Sequence, residues 1–245
     1  MIRLDNVYKS FPQRKNSKKV LKGLSFQADP GEVFCLLGAN GSGKTTTLQT
    51  IATLLKPDSG QVYVNEMNVA EKGREVRSVL GFLTGEMRLA GSLTGREWLN
   101  FFGKLNKMKP DSLKAKISLL ADHLEMEDFL DKPVDKLSTG MKQKISIAIS
   151  QIHDPLVILF DEPTSGLDIM ASRIVLDYIK QCRSEGKTII LCTHIMSEAE
   201  KLGDRIGILI DGKLAAQGTL DELLAESGES SLEDLFFKLS GREEQ

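Results

Sequence analysis

The sequence Gly38-Ala39-Asn40-Gly41-Ser42-Gly43-Lys44-Thr45 fits the pattern G-x-x-x-x-G-K-[ST] without a mismatch. The apolar run Val33-Phe34-Cys35-Leu36-Leu37 precedes it, and a helix-compatible stretch, 45–55, follows it. This is the strand–loop–helix arrangement that the pattern requires. Its three glycines let successive backbone N–H groups turn toward one anion, and the helix N-terminus adds partial positive charge. The stretch therefore predicts a phosphate-binding loop.

The side chains at the end of this loop predict how a nucleoside triphosphate is held. Lys44 is expected to reach the β- and γ-phosphates, and the Thr45 hydroxyl to ligate Mg²⁺. A glycine-rich turn that fits the pattern by chance is the alternative, but it leaves the flanking strand and helix unexplained. The predicted phosphate-binding residues are Gly38, Asn40, Gly41, Ser42, Gly43, Lys44, Thr45 and Thr46.

The composition is that of a globular protein without a strong electrostatic field. The 245 residues are 41% hydrophobic and 27% charged, and the net charge is −2. This balance argues against a nucleic-acid partner, and the short basic tract at 14–19 is interpreted as a solvated loop between two strands. No apolar run approaches the ~20 residues that cross a bilayer, and no signal-peptide pattern is present. The three scattered cysteines predict a reduced, cytoplasmic protein.

Short, near-continuous apolar runs indicate strands that are covered on both faces, as in a parallel sheet. The runs are 33–37, 157–160 and 188–192, and helix-like segments at 45–55, 140–151 and 169–184 separate them. This alternation predicts an α/β fold with a mainly parallel sheet. The first 30 or so residues and segment 61–64 show short alternating strands, which predict an antiparallel β subdomain beside the core.

Between Gly85 and Lys136 the strand signals give way to helical periodicity. This change predicts a helical subdomain, about 85–153, inserted between two core strands. Further along, Asp211-Gly212 predicts a type I′ hairpin. We expect a single α/β domain over 1–220 and a short tail over 221–245 that forms one helix.

Two adjacent acids follow the apolar run 157–160. An acid at the carboxyl end of a core strand emerges beside the phosphate loop, in the crevice where α/β sheets bind ligands. Asp161 is expected to hold Mg²⁺, directly or through water. Glu162 is expected to orient or deprotonate the attacking water. Such a pair also occurs in ordinary surface turns, so this interpretation depends on the phosphate loop.

Two further candidates lie at the ends of predicted elements. His194 follows a buried strand, where it is placed to contact the γ-phosphate; the alternative is a histidine hydrogen-bonded at a strand terminus. Ser138 caps a predicted helix and, with Gly140 and the open amides of that helix start, forms a second phosphate site. One chain cannot easily bring both helix ends to one nucleotide, whereas two chains packed head-to-tail can.

Taken in order, these motifs resemble those of the ATP-binding subunit of an ABC transporter. The motifs are the phosphate loop, the signature Leu137-Ser138-Thr139-Gly140-Met141, the pair Asp161-Glu162, the loop Ser165-Gly166-Leu167-Asp168 and His194. The resemblance implies a P-loop NTPase core and ATP and Mg²⁺ as ligands. It also implies a head-to-tail dimer, with a second copy of this chain or with a homologous ATPase subunit, in which the signature of one subunit closes on the γ-phosphate held by the other. It also implies that Phe11, rather than Tyr8, stacks on adenine; the alternative for Phe11 is a hydrophobic plug at a strand end.

Two segments depart from the family pattern. The signature is usually Leu-Ser-Gly-Gly-Gln, and here Thr139 and Met141 differ while Ser138 and Gly140 remain. The family also has a glutamine after the strand at 79–83, and Gly85 occupies the position where we expect it. Thr84, Glu86 or a water molecule are the candidate replacements. Both departures resemble the sodium-efflux and drug-efflux exporters of the family.

The resemblance further implies a separate membrane-spanning permease subunit, which would hold this chain at the inner face of the cell membrane. The substrate, Na⁺ or a drug among others, would be chosen by that subunit. The helical subdomain near 83–102 would contact it, and Trp98, Phe101 and Phe102 either fill the core of that subdomain or meet the partner. The alternative is a soluble, non-transport ABC ATPase acting on nucleic acid or the ribosome.

Overall fold

The computed structural model describes residues 1–13, 16–84 and 89–241. Its strands are β1 (Ile2–Gln13), β2 (Asn16–Ala28), β3 (Val33–Leu37), β4 (Ser59–Val64), β5 (Met67–Asn68), β6 (Leu80–Leu83), β7 (Val157–Asp161), β8 (Thr188–Thr193), β9 (Arg205–Ile210) and β10 (Lys213–Gly218). Its helices are α1 (Lys44–Ile51), α2 (Gly73–Ser78), α3 (Gly95–Leu105), α4 (Pro110–His123), α5 (Thr139–Gln151), α6 (Ile169–Ser184), α7 (Met196–Leu202), α8 (Leu220–Ser227) and α9 (Leu232–Leu239).

A six-stranded sheet lies at the centre of the molecule, in the order β10-β9-β3-β8-β7-β6. Its pairings are parallel except that of β9 with β10. Asp211 and Gly212 join these two strands with φ of 47° and 77°. Because a type I′ turn has positive φ at both central residues, the predicted hairpin is confirmed.

Both faces of the central sheet are buried along its inner strands, because alternate residues of these strands enter different apolar clusters. On β3, Val33, Cys35 and Leu37 pack with the helical side of the molecule. Phe34 and Leu36 pack instead with α1 and the second sheet. Strands β7 and β8 alternate in the same way and have no exposed residue. The predicted α/β class with a mainly parallel sheet is confirmed.

The second sheet is antiparallel, in the order β2-β1-β4-β5, and confirms the predicted β subdomain. Its first two strands are longer than expected, because β1 and β2 remain paired as far as Gln13 and Asn16. Lys18 and Lys19 therefore lie on β2, opposite Phe11 and Ser10, and not in a loop. The sheet edge keeps both lysines exposed, which explains how a basic tract fits in a strand. Residues 14 and 15 of that tract lie outside the described residues.

Helices α3, α4 and α5 form the connection between β6 and β7, which are parallel neighbours in the sheet. A parallel pair needs such a crossover, and here the crossover is a whole helical lobe. A capping box between Thr94 and Glu97 begins α3. Phe102 packs against the core, whereas the side chain of Phe101 is 54% exposed. The aromatic residues of α3 therefore divide between the core of the lobe and its surface.

Helix boundaries differ from the predicted ones at two places. Helix α1 ends at Ile51 and not at 55, and Thr53 has a left-handed φ of 65°. The tail contains two helices where one was expected. A capping box at Thr219 begins α8, and Gly228 in the left-handed region ends it. Because α8 and α9 bury leucines in the main core, the division at residue 220 stays a prediction.

Over the described ranges, no helix is both long enough and apolar enough to span a bilayer. The three cysteines of the chain are buried free thiols. Burial raises the pKa of Cys182 to about 11 and also raises the pKa of Cys35 and Cys192. These thiols are therefore protonated at neutral pH, and no thiolate is available for chemistry there.

A truncation in β8 tests how strongly the fold depends on the central sheet. Leu191 is fully buried, so Leu191→Ala should lower the free energy of unfolding by about 2–5 kcal/mol, because it leaves a cavity. Leu156→Ala is the matched control, since Leu156 is 56% exposed and such changes stay within about 0.5 kcal/mol. Urea denaturation followed by circular dichroism measures the free energy of unfolding of both variants. Equal decreases would contradict the burial of Leu191 in the sheet.

Candidate functional site

The predicted phosphate loop connects β3 to α1. Gly43 has φ 115°, which brings the chain into the helix without a side-chain cap. A Cβ atom on Gly38 would lie 2.6 Å from both the Leu209 carbonyl oxygen and Ser42 Oγ, so the loop passes close to β9. The Gly212 N–H donates to the Ser42 carbonyl at 2.9 Å, and the β9–β10 turn thereby supports the loop from behind.

Lys44 is the first residue of α1 and is only 5% exposed. Its Nζ donates to the carbonyls of Gly38 at 2.5 Å and Ala39 at 3.3 Å. The same Nζ lies 3.2 Å from Glu162 Oε1, a distance that makes an ion pair without hydrogen-bond geometry. The ammonium group is thus held between the loop and the carboxylate that follows β7.

The loop offers donors that suit a triphosphate. The first N–H groups of a helix have no intrahelical acceptor, and Gly43 gives α1 no side-chain cap. Ser42 Oγ is buried and makes no hydrogen bond within the described chain. Together with the Lys44 ammonium, these groups form a positively polarised pocket that fits phosphate oxygens.

Asp161 and Thr45 meet at the floor of this pocket. Desolvation raises the pKa of the Asp161 carboxyl group, and the Thr45 side chain and the Lys44 charge lower it. The buried Asp161 Oδ1 makes no hydrogen bond to any described residue. A hard cation would satisfy the unpaired oxygen. Three-residue clusters of His, Cys, Asp and Glu suited to a metal are absent from the described residues.

Glu162 and His194 meet directly. His194 Nδ1 lies 2.5 Å from Glu162 Oε2, and the Glu162 side chain is 20% exposed. Glu162 has φ 51°, in the left-handed region that an unstrained glutamate avoids. Its N–H donates to the Cys192 carbonyl at 2.9 Å, which ties the start of the loop after β7 to β8. Strained backbone of this kind is concentrated at functional sites.

A cleft of about 700 Å³ unites most of these groups. Its lining includes Asn40, Gly41, Gly43, Lys44, Thr45, Thr46, Asp161 and Glu162 from the predicted set, together with Lys18, Val20, Gln49, Thr84, Thr139, Gln143 and Ser165. His194 lines a smaller adjoining cavity of about 260 Å³ beside Gly38 and Asn40. The strand ends therefore bring the loop, both acids and the histidine to one edge of the sheet.

Ser138 and Gly140 are not among the residues that line the cleft, although Thr139 between them is. Ser138 is exposed and caps α5 by accepting from the Met141 N–H at 3.2 Å, as the sequence predicts. Asp168 caps α6 in the same way, through the Ala171 N–H at 2.9 Å. Both residues thus begin helices at the surface, where a second chain can reach them. Their contact with a nucleotide stays a prediction.

Phe11 is half-buried on β1 and does not line the cleft, although its strand partner Lys18 does. The Lys9 ammonium lies 5.6 Å from the centre of the Phe11 ring. Stacking of Phe11 on adenine stays a prediction. Of the candidate replacements for the missing glutamine, Thr84 lines the cleft. The other candidate side chain, Glu86, lies outside the described residues, as does Gly85 at the expected position.

Sequence reasoning missed three polar residues of the cleft: Lys18, Gln49 and Gln143. Gln49 lies one helical turn after Thr45. Residues at this spacing share one face of a helix, so the sequence could have predicted that Gln49 also lines the cleft. Gln143 donates to the Pro163 carbonyl at 2.9 Å and so connects α5 to the loop that follows Glu162. No local pattern pointed to Lys18, because its place depends on the β1–β2 register.

Known proteins of one family match this chain over most of its length. Residues 21–165 match the family model described as ABC transporter. The chain is 37% identical over 237 residues to the ABC transporter ATP-binding protein NatA of Bacillus subtilis, with 96% of each chain covered. It is 36% identical over 224 residues to the Nod factor export ATP-binding protein I of Paraburkholderia xenovorans, covering 91% of this chain and 72% of that one. The chain belongs to the ABC transporter family.

Solved structures agree with this assignment. An ATP-binding subunit of an ABC transporter superposes with a TM-score of 0.88 at 28% identity, covering 98% of this chain and 99% of that one. A dimeric ATP-binding cassette in a post-hydrolysis state, bound to ADP and Pi, superposes with a TM-score of 0.81 at 28% identity, covering 90% and 99%. The chain is therefore an ATP-binding protein with ATPase activity, and the predicted P-loop NTPase core is confirmed.

Removing the Lys44 ammonium should weaken nucleotide binding itself. A hydrogen bond to a charged group contributes about 1.5–3 kcal/mol, so Lys44→Ala should raise the Kd for ATP roughly 10- to 100-fold. The exposed Lys72 supplies the control, Lys72→Ala, with an unchanged Kd. Isothermal titration calorimetry measures both. If Lys44→Ala and the control had the same Kd for ATP, the prediction that Lys44 binds the phosphates would be wrong.

Proposed function

We propose that this chain powers export: it hydrolyses Mg²⁺-bound ATP at a site completed by a second copy and drives a separate membrane subunit. The observation that carries the proposal is the hydrogen bond between Glu162 and His194 beside the Lys44 ammonium, at the end of the phosphate loop. Membership of the ABC transporter family supports the coupling to transport.

In this proposal the triphosphate lies along the phosphate loop. The backbone amides from Gly38 to Thr46 and the Lys44 ammonium bind its phosphates, and Phe11 stacks on the base. Mg²⁺ would be held by Thr45 and Asp161 and would neutralise part of the phosphate charge. The unpaired Asp161 Oδ1 supports this assignment, because a buried carboxylate oxygen without a partner is costly.

Hydrolysis is an in-line displacement at the γ-phosphorus. Glu162 orients a water molecule and accepts its proton as the water oxygen bonds to phosphorus and the bond to the β-phosphate oxygen breaks. His194 holds the Glu162 carboxylate in place and contacts the γ-phosphate. Lys44 and the loop amides stabilise the charge that develops, so that catalysis depends mainly on positioning and electrostatics.

The second copy supplies the signature serine. Ser138 and Gly140 at the start of α5 would bind the γ-phosphate held by the other subunit, with Asp168 at the same interface. Ser138 and Asp168 are exposed and Gly140 is half-buried, which supports this arrangement, since a residue that acts on another chain has to be accessible. A similar cassette is a dimer in its solved structure. Closure on ATP and opening after hydrolysis would then form one cycle.

Neutralising Glu162 should separate binding from hydrolysis. Glu162→Gln keeps the shape of the side chain but cannot accept the proton, so turnover should fall by roughly 10²- to 10⁴-fold, the usual value of general acid–base catalysis. ATP binding should persist, and a dimer should accumulate with Mg²⁺-ATP. Phosphate release and size-exclusion chromatography with light scattering measure the two effects.

The exposed Glu226 on α8 provides the control Glu226→Gln, which should hydrolyse ATP at the normal rate. Near-normal turnover of Glu162→Gln would remove Glu162 from its role. A monomer in both variants at saturating Mg²⁺-ATP would instead contradict the shared site.

The membrane subunit is expected to dock on the helical lobe, which would hold the chain at the inner face of the membrane. On α3, Phe101 is 54% and Leu105 is 65% exposed. Exposed apolar groups one helical turn apart suit an apolar partner surface, where aromatic residues are enriched. Relatives named for Nod factor export and daunorubicin resistance support export. A sodium ion or a drug is the proposed class of substrate.

A substitution on this surface tests the partner. Phe101→Ser should weaken co-purification with a polytopic membrane protein from detergent-extracted membranes at least 10-fold, while the ATPase activity of the isolated chain stays unchanged. Leu119→Ser changes another exposed residue of the same lobe, 43% exposed, and should retain the partner. Recovery of RNA and no membrane protein with the unmodified chain would contradict the transport assignment.

A further inference from the structure

A buried carboxylate lies behind the Glu162–His194 pair. Glu198 is in the first turn of α7 and is only 5% exposed. Among the described residues, no lysine, arginine or histidine forms an ion pair with it. Burying a carboxylate costs free energy unless hydrogen bonds compensate it, so its partners decide what it does.

Both oxygens of Glu198 accept hydrogen bonds from threonine hydroxyls. Thr164 donates to Oε1, and Thr193 donates to Oε2 at 2.7 Å. The two threonines are themselves buried, with 5% and 1% exposure. The Thr193 Oγ1 atom also accepts from the Ile195 N–H at 3.0 Å, which fixes the chain on both sides of His194.

The two threonines belong to the two segments that carry the catalytic pair. Thr193 ends β8 and directly precedes His194, while Thr164 follows Glu162 by two residues. One carboxylate therefore joins the segment of His194 to the segment of Glu162. Because each oxygen of Glu198 accepts from a different segment, the side chain is held in one orientation.

We propose that Glu198 is a positioning residue for hydrolysis: its carboxylate holds the two segments so that His194 reaches Glu162. The proposal rests on the proposed function, since it assumes that Glu162 and His194 act on ATP. It differs from a purely structural role because it assigns the effect of Glu198 to one contact, that between His194 Nδ1 and Glu162 Oε2.

Glu198→Gln is the primary variant, because it keeps the size of the side chain and replaces one acceptor by a donor. Single-turnover hydrolysis should slow roughly 10- to 100-fold, the range expected for one lost charge-assisted hydrogen bond. The Kd for ATP should stay within about twofold, because the phosphate loop is untouched. Glu200→Gln, an exposed position on the same helix, should hydrolyse ATP at the normal rate.

Combination with His194→Ala separates positioning from stability. Without the imidazole there is nothing to position. The double variant should therefore hydrolyse ATP at a rate within about twofold of that of the His194→Ala variant. A structural role would instead slow both backgrounds equally and lower both melting temperatures. Either equal slowing or an unchanged rate in Glu198→Gln would overturn the proposal.

Thr193→Val and Thr193→Ser repeat the test if Glu198→Gln does not fold. Valine removes the hydroxyl that reaches Glu198 and should slow hydrolysis, and serine restores the hydroxyl and should restore the rate. Equal rates for valine and serine would also overturn the proposal. Normal ATP hydrolysis by Glu162→Gln and His194→Ala would contradict the proposed function itself. Slow hydrolysis by both variants, with a normal rate for Glu198→Gln, would contradict only the positioning role of Glu198.

Discussion

The register of three neighbouring parallel strands determines where the polar groups of the cleft lie. Leu37 of β3 pairs with Thr193 of β8, and Cys192 of β8 pairs with Asp161 of β7. The three strands therefore end within about one residue of each other, and the phosphate loop, His194 and Glu162 follow directly after those ends. Parallel strands impose this arrangement, because their carboxyl ends share one edge. A shift of one residue in any pairing would turn alternate side chains to the opposite face and separate the groups.

The same edge brings buried charged groups next to the buried strands β3 and β8. Lys44 and Asp161 are each 5% exposed. Such groups are tolerated because they lie close to opposite charges and polar atoms. Nζ of Lys44 contacts two carbonyls and Glu162. Burial raises the pKa of Asp161, and the Thr45 side chain and the Lys44 charge both lower it. The left-handed φ of Glu162 costs about 1–3 kcal/mol, and the surrounding hydrogen bonds hold the backbone in that conformation. Apolar packing on both faces of the sheet supplies the stability that permits it.

The sequence predicted the parts of this arrangement that local patterns encode. Continuous apolar runs identified β3, β7 and β8, and the glycine and lysine spacing identified the phosphate loop. Long-range register was not predictable, so the position of Lys18 on β2 and the threonine bridge through Glu198 were missed. Helix α8 was missed because its apolar face is short, although Thr219 and Glu222 form a capping box. Phe101 and Phe102 adjoin in sequence, and only the packing of α3 shows which one is buried.

The burial of the native thiols has a practical consequence for detecting the proposed dimer in solution. Cys35, Cys182 and Cys192 are enclosed and protonated, so they react slowly with maleimides and disulfide reagents while the fold is intact. A single cysteine introduced on an exposed residue is thus a selective attachment point for a fluorophore, a spin label or a cross-linker. The native protein needs no cysteine-free background for such spectroscopy, and each core thiol keeps its packing.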